Sequence, residues 1–200
     1  MGFKMAVKKT PPGPVLVEDF TTGIDDWTLS TQYANATVTW YNSDSMRCYV
    51  NSSGDRAVAA TWNIGIAGDF DIEINYENTL FSGSHSFFAM MKNIPGDPSG
   101  NNRVRLESYT AGGLYHAFFV DGVQEDNVYL RPILITGKFR FVRSGNDYTT
   151  YYDAGSGWVE GYTSTHSGWG TMYLKTGVYV NTGSNSTVIN SVIVNTGTIV

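Results

Sequence analysis

The stretch from Gly137 to Glu160 reads GKFRFVRSGNDYTTYYDAGSGWVE. Its first residues alternate charged and apolar side chains, which is the pattern of a β-strand with one buried face. The Ser-Gly-Asn-Asp cluster at 144–147 is typical of a turn, and a strand rich in tyrosine and threonine follows it. The stretch therefore predicts an antiparallel hairpin, followed by a glycine turn and Trp158.

The same kind of pattern continues along the chain on both sides of this hairpin. Short runs of β-branched and aromatic residues alternate with Gly, Pro, Asn and Ser clusters, such as NIPGDPSGNN at 93–102, and none has a helical period. Aromatic residues make up 14% of the chain, and there are 22 glycines. A dozen or so short strands predict one all-β domain over residues 15–200, a sandwich or jelly roll.

Residues 1–14 (MGFKMAVKKTPPGP) differ from the rest in composition. They carry lysines but no acid, and their prolines exclude a helix and favour an extended polyproline geometry. We expect an extended N-terminal arm that anchors the domain to a partner, either along a sheet edge or through its charges. The predicted anchoring residues are Lys4, Lys8, Lys9, Pro11 and Pro12.

Charge and cysteine content exclude several classes of function. The net charge is −5, from 18 acidic and 13 basic residues without a basic stripe, which argues against nucleic acid as a partner. No apolar stretch is long enough for a signal peptide or a membrane span, so we expect synthesis in the cytosol. The single cysteine, Cys48, cannot form an internal disulfide, and we expect it to be a small buried hydrophobe.

The hairpin at 137–160 resembles the penultimate hairpin of the concanavalin A-like lectin/glucanase superfamily, which includes the laminin-G domains. The stretch EDFTTGIDDWTLS at 18–30 is similar to that family's opening strand, acidic turn and tryptophan, and 171–194 is similar to its closing strands. The resemblance covers residues 15 to 195 and implies a jelly-roll sandwich of two antiparallel sheets. In this family the concave sheet often holds sugar.

Residues 70–77 (FDIEINYE) place acidic and apolar side chains on opposite faces of a predicted strand. The glucanase branch of the superfamily carries Glu-x-Asp-x-Glu on one strand, with the outer glutamates as nucleophile and acid/base. Here Glu73 and Glu77 have that spacing, and Asn75 replaces the aspartate. A glycoside hydrolase therefore stays open as an alternative, although we expect a non-catalytic member with the acids on its wet face. The predicted inward residues are Phe70, Ile72, Ile74 and Tyr76.

Metal ligands are harder to assign. Some members of the superfamily hold structural calcium near the ends of the chain, so the resemblance leaves a structural calcium open, but no loop has the dense oxygen spacing of a dedicated site. The histidines lie far apart without a partner motif, which argues against zinc. We assign no ligand and no cofactor. The carboxylates near the first and fifth predicted strands and the three histidines are Asp19, Asp25, Asp26, Asp69, Asp71, His85, His116 and His166.

The loop GSGWVEGYTSTHSGWGTMY at 155–173 is the predicted sugar-binding surface. Aromatic rings stack on sugar rings, and the small polar residues around them supply hydrogen bonds. Trp169 lies between two glycines and is expected to be exposed, whereas Trp158 is expected to pack on the edge of the sandwich. The predicted glycan-binding residues are Trp158, Tyr162, His166 and Trp169.

Composition, the arm and the missing signal together favour a non-enzymatic virion structural protein, such as a phage capsid decoration, head-fibre or tail component made in the host cytoplasm. The arm would dock to other virion subunits in a homo-oligomer or larger assembly. The lectin-like jelly roll would face outward and bind cell-surface or mucosal polysaccharide. The alternative is a free-standing carbohydrate-binding module or lectin.

Overall fold

The computed structural model describes residues 13–31, 36–95, 102–110 and 112–200. The predicted anchoring residues Lys4, Lys8, Lys9, Pro11 and Pro12 lie outside these ranges. Over the described ranges the chain is all-β, and it contains no helix long and apolar enough to cross a bilayer. The strands are β1 (Leu16–Glu18), β2 (Trp27–Thr31), β3 (Ala36–Tyr41), β4 (Ser45–Ser52), β5 (Arg56–Lys92), β6 (Arg103–Tyr109), β7 (Gly113–Val120), β8 (Val123–Arg131), β9 (Thr136–Ser144), β10 (Asp147–Asp153), β11 (Val159–Thr165) and β12 (Met172–Ile199).

Two long strands, β5 and β12, take part in both layers of the fold. Residues 58–62 of β5 pair with β2, residues 70–77 pair with β9, and residues 86–92 pair with β6. The first part of β12 lies between the first and third of these segments, and its later part pairs with the second. Along each of these pairings the residue numbers in β5 decrease while those in β12 increase, so the paired segments are antiparallel.

The pairings define two layers, which we name the front sheet and the back sheet. The front sheet contains β2, the two outer segments of β5, the first part of β12, and then β6, β7 and β8. The back sheet contains β3, β4, the later part of β12, the middle segment of β5, and then β9, β10 and β11, with β1 paired to β12. This is the predicted jelly-roll sandwich, and its antiparallel arrangement is confirmed.

Gly83 lies where β5 passes from the back sheet to the front sheet. Its φ is +88°, a left-handed backbone conformation that side-chain-bearing residues rarely adopt. A Cβ there would lie 2.0 Å from the backbone oxygen of Thr182 on β12. Glycine thus lets the two long strands approach each other at the crossing.

The core lies between the sheets and is built from alternate residues of each strand. The ring centroid of Tyr76 on the back sheet lies 4.3 Å from that of Phe87 on the front sheet, and the Tyr76 hydroxyl donates to the backbone oxygen of Leu134 at 2.9 Å. Cys48 is fully buried as predicted, and burial raises the pKa of its thiol to about 12. The predicted inward residues are confirmed in the core: Phe70, Ile72, Ile74 and Tyr76.

The hairpin at 137–160 forms as predicted. Strands β9 and β10 pair from Ser144 and Asp147 at the turn to Lys138 and Asp153 at the far end. Gly145 has a φ of 60° in the turn, and its N–H donates to Asp69 Oδ1 at 2.7 Å. The turn is therefore tied to the start of the neighbouring back-sheet segment.

Candidate binding groove

A groove crosses the outward face of the front sheet. It consists of two adjoining depressions, of about 380 Å³ and about 330 Å³, which share Arg105, Glu107 and Tyr179. Each has the size of an ordinary small-molecule pocket. The other described residues that line the groove are Ser30, Ala57, Ala59, Phe88, Met90, Arg103, Tyr109, Tyr115, Ala117, Gln124, Asn127, Lys175 and Asn181.

The larger depression has an apolar floor. Ala59, Phe88 and Met90 form a small buried cluster that is separate from the main core. Gly177 of β12 runs beneath them, and a Cβ at this position would lie 2.4 Å from the Val58 backbone oxygen and 2.8 Å from the Phe88 ring. The absence of a side chain at 177 therefore allows the Phe88 ring to lie across the strand and close the floor.

An ordered set of charged side chains forms the wall shared by the two depressions. Glu107 accepts a hydrogen bond from the Ser86 hydroxyl on one carboxylate oxygen, at 2.6 Å, and contacts Arg105 Nη2 with the other, at 2.8 Å. The guanidinium carbon of Arg103 lies 3.7 Å from the centroid of the Phe119 ring, and that of Arg105 lies 5.5 Å from it. These contacts fix the arginines on the sheet before any ligand arrives.

Tyr179 lies between the two depressions, and its hydroxyl is uncharged. Burial, a hydrogen bond with the Asp55 carboxylate and the nearby Glu107 together raise the pKa of Tyr179 to about 12. At neutral pH its phenol is therefore protonated: its O–H donates to Asp55, and its oxygen can accept a hydrogen bond.

The smaller depression is lined by polar side chains. Tyr109 is held by a hydrogen bond with the Ser84 hydroxyl at 2.8 Å, and Tyr115 donates to the Gly112 backbone oxygen at 3.2 Å. The lining amides of Gln124 and Asn127 offer both donors and acceptors. The groove thus combines an apolar floor at one end with hydrogen-bonding groups at the other.

The prediction that Trp169 is exposed is wrong. Its side chain is 4% exposed, and its ring centroid lies 4.7 Å from that of Phe118 and 4.6 Å from that of Tyr148. These two residues come from different sheets, and the indole fills the space between them at the end of the core. The flanking glycines shape the turn that carries the indole inward, with Gly168 at a φ of +88°.

The other predicted aromatic residues do not meet on one surface. Trp158 is half-buried, and the Arg140 guanidinium carbon lies 5.6 Å from its ring centroid, on the outward side of the back sheet. His166 packs on the buried Trp169 with ring centroids 5.2 Å apart, at the end of the core. Tyr162 is 37% exposed and lies 5.2 Å from the buried ring of His116. The loop therefore provides separate packing contacts, and none of its four predicted residues lines the groove.

The acidic row of residues 70–77 lies on the outward face of the back sheet. Asp71 forms a bidentate pair with Arg140, at 2.7 and 2.6 Å, and Glu73 accepts a hydrogen bond from Asn195 Nδ2 at 2.7 Å. Glu77 is exposed. Because the inward residues of this segment point into the core shared with the front sheet, Glu73 and Glu77 face away from the groove.

His116 belongs to a buried polar chain and has no metal-binding partners among the described residues. Its ring nitrogens lie 2.9 Å from the hydroxyl oxygens of Thr150 and Ser164, and Ser164 donates to Asp126. Burial lowers the pKa of His116 to about 4, against the opposing charge of Asp126. In the ranges that the structure describes, no three His, Cys, Asp or Glu side chains gather as metal ligands, and a structural calcium stays a prediction.

Sequence reasoning missed the groove, although its signals are present. Arg103, Arg105 and Glu107 alternate with buried residues on β6, and Tyr179 lies between two buried residues on β12, which is the pattern that singled out FDIEINYE. The sequence does not show which strands are neighbours. In the structure β6 and β12 pair with the last segment of β5 from opposite sides.

Comparisons with known proteins support the fold. No protein-family model and no curated protein sequence matches the chain. Among solved structures, the chain is similar to the Bacillus licheniformis β-glucanase (TM-score 0.62, 14% identity, covering 94% of this chain and 100% of the other). It is also similar to the lumenal domain of VIP36 in its Ca²⁺/Man2-bound form (0.58, 12%, 90% and 86%) and to the carbohydrate-binding module CBM66 from Bacillus subtilis (0.52, 15%, 88% and 96%). The neighbours are concanavalin-like lectin and glucanase jelly rolls, so the predicted fold class is confirmed.

Proposed function

We propose that the protein binds carbohydrate in the groove of the front sheet and does not cleave it. The observation that carries this proposal is the buried apolar floor of Ala59, Phe88 and Met90 between polar walls. A sugar ring has an apolar face and a rim of hydroxyls, and it needs this combination of surfaces. The carbohydrate-binding module and the Man2-bound domain among the similar structures support the same class of ligand.

The arrangement of the carboxylates supports the proposal of binding without hydrolysis. A retaining or inverting glycosidase needs two carboxyl groups across the scissile bond. Among the described residues that line the groove, Glu107 is the one carboxylate, and both of its oxygens are engaged by Ser86 and Arg105. Glu73 and Glu77, which have the glucanase spacing, lie on the other outward face.

Direct binding measurements test the proposal. A glycan array followed by titration calorimetry on the hits should give a ligand whose affinity falls at least about tenfold in Phe88→Ala, because the ring supplies the floor. Trp40→Ala is the matched control: Trp40 is a 49% exposed aromatic on the back sheet, and its loss should leave the affinity unchanged. Absence of any hit, or an equal effect of both substitutions, would contradict binding in the groove.

A reducing-end assay on the bound glycans tests the absence of cleavage. The wild-type protein and Glu73→Gln should both release no new reducing ends over a long incubation. Release by the wild type that disappears in Glu73→Gln would establish the hydrolase alternative instead.

We also propose, as the setting for this binding, a virion structural protein that displays the domain and docks through its arm. The support is the basic, proline-interrupted sequence at 1–14 and the Gly-, Ser- and Thr-rich composition. Deleting residues 1–14 should abolish incorporation into particles while the thermal unfolding of the domain stays unchanged. Normal incorporation of the truncated chain would overturn the arm's role and leave the sugar-binding proposal standing.

A further inference from the structure

The groove and the whole chain differ in the sign of their charge. The chain has a net charge of −5. The described residues that line the groove include three cations, Arg103, Arg105 and Lys175, and one carboxylate, Glu107, and the Asp55 carboxylate is hydrogen-bonded to Tyr179 beside them. A cationic groove on an acidic protein selects for a negative group on the ligand, because the rest of the surface repels it.

Burial and ring contacts hold these cations in place. Lys175 lies in the larger depression and is only 3% exposed. Arg103 and Arg105 are held on the Phe119 ring, which limits the entropy lost when they bind.

Arg105 also has hydrogen-bonding capacity left over. Its guanidinium has five N–H donors. Within the part of the chain that the structure describes, its one ion-pair contact runs from Nη2 to Glu107, and its Nε is buried beyond the reach of a ligand, so the capacity for a ligand lies on the two Nη atoms. A carboxylate or sulfate on a ligand would supply the acceptors that such a group favours.

The remaining lining restricts what kind of anion fits. The apolar floor formed by Ala59, Phe88 and Met90 suits a ring and not a free inorganic ion. The two depressions adjoin and share a wall, so they accommodate neighbouring units of a chain. The net acidic surface beyond the groove disfavours a long nucleic acid.

We propose that the ligand of the groove is an anionic polysaccharide, with a carboxylate or sulfate group on a sugar ring paired to Arg103, Arg105 and Lys175. This inference rests on the proposed function, since it names the class of carbohydrate that the same groove binds.

Matched polymers test it, because each pair shares a backbone and differs in charge. Polygalacturonate is compared with its fully methyl-esterified form, and dextran sulfate with dextran, by calorimetry at 50 mM and 300 mM salt. At least one anionic polymer should bind at least about tenfold more tightly than its neutral partner, and more weakly at high salt. Binding of polygalacturonate alone identifies a carboxylate ligand, and binding of dextran sulfate alone identifies a sulfate ligand.

Variants locate the binding. Arg105→Gln and Arg103→Gln should each lower the affinity for the anionic polymer at least about fivefold. Arg47→Gln is the matched control, since Arg47 also stacks on aromatic rings, those of Tyr41 and Tyr49 on the back sheet. Thermal unfolding of each variant separates loss of binding from loss of folding.

The two proposals fail in different ways. Equal or tighter binding of the neutral polymers, or an anionic affinity that Arg105→Gln and Arg103→Gln leave unchanged, overturns the anionic ligand while carbohydrate binding stands. No binding to any polymer of the panel or the array overturns both.

Discussion

Arg105 and Glu107, two residues apart on β6, form an ion pair with Nη2 2.8 Å from Oε2 at the wall between the two depressions. Their side chains are 26% and 23% exposed, and pairs this exposed contribute little to stability. The pair instead determines the position of the Arg105 side chain. Glu107 is itself fixed by its hydrogen bond from Ser86, and it holds the Arg105 guanidinium over the groove.

Replacing Glu107 by glutamine should strengthen binding of an anionic polymer. Glutamine keeps one acceptor oxygen for Arg105 and can donate its amide N–H to the Ser86 hydroxyl oxygen, and it removes a carboxylate that repels a negative ligand in the groove. We expect an affinity gain of about threefold at low salt, measured by calorimetry. Glu73→Gln makes the same change of charge on the back sheet and should have no effect. A loss of affinity in Glu107→Gln would contradict this prediction and show that the positioning of Arg105 by the charged pair outweighs the repulsion.

Trp169→Ala should destabilise the protein by about 3–5 kcal/mol, because it leaves a cavity between Phe118 and Tyr148. Denaturant unfolding followed by fluorescence measures the loss. Trp40→Ala, at a half-exposed tryptophan whose Nε1 donates to the Phe20 backbone oxygen, should cost less, about 1–2 kcal/mol. Equal costs for the two substitutions would contradict the buried position of Trp169.

Burial of His116 should make the protein less stable as the pH falls. Its pKa is about 4 in the folded protein and about 6.5 when unfolded. The unfolded state therefore binds more protons between these values, and stability falls as pH drops from about 6.5 to about 4. The difference corresponds to about 3 kcal/mol at 1.36 kcal/mol per pKa unit.

Unfolding free energies at pH 7, 6, 5 and 4 measure this loss. In His116→Asn the decline over this window should be reduced by about 3 kcal/mol, whereas Trp40→Ala, which removes no titratable group, should keep the wild-type decline. An unaltered decline in His116→Asn would show that other groups cause it.

Gly177→Ala should disturb the floor of the groove. The added Cβ meets the Val58 backbone oxygen and the Phe88 ring, so the strand or the ring must move. We expect a loss of about 1–3 kcal/mol in unfolding free energy, together with weaker glycan binding. Gly54→Ala, which has open space around it, should change neither quantity. Wild-type stability and affinity in Gly177→Ala would contradict the close approach of Phe88.

Local pattern was enough to predict the strand segments, the hairpin at 137–160 and the inward face of residues 70–77, because alternation depends only on near neighbours in the chain. It did not predict that the short segments within 56–92 and 172–199 join into two continuous strands. The groove could not be predicted in that way. Phe88, Arg105 and Tyr179 come from three strands that are distant in sequence, and only the pairing of β12 with β5 and of β5 with β6 makes them neighbours. The predicted exposure of Trp169 was wrong for a related reason. Its side chain is buried by Phe118 and Tyr148, which belong to other strands.

The route of β12 through both layers also constrains how the chain folds during its synthesis. In each layer β12 lies between segments of earlier strands, so the central pairings of either layer must wait until residues 172–199 have left the ribosome. Until then the strands that will flank β12 expose unpaired edges, which are a hazard for aggregation. We therefore expect slow folding, dominated by contacts between residues distant in sequence.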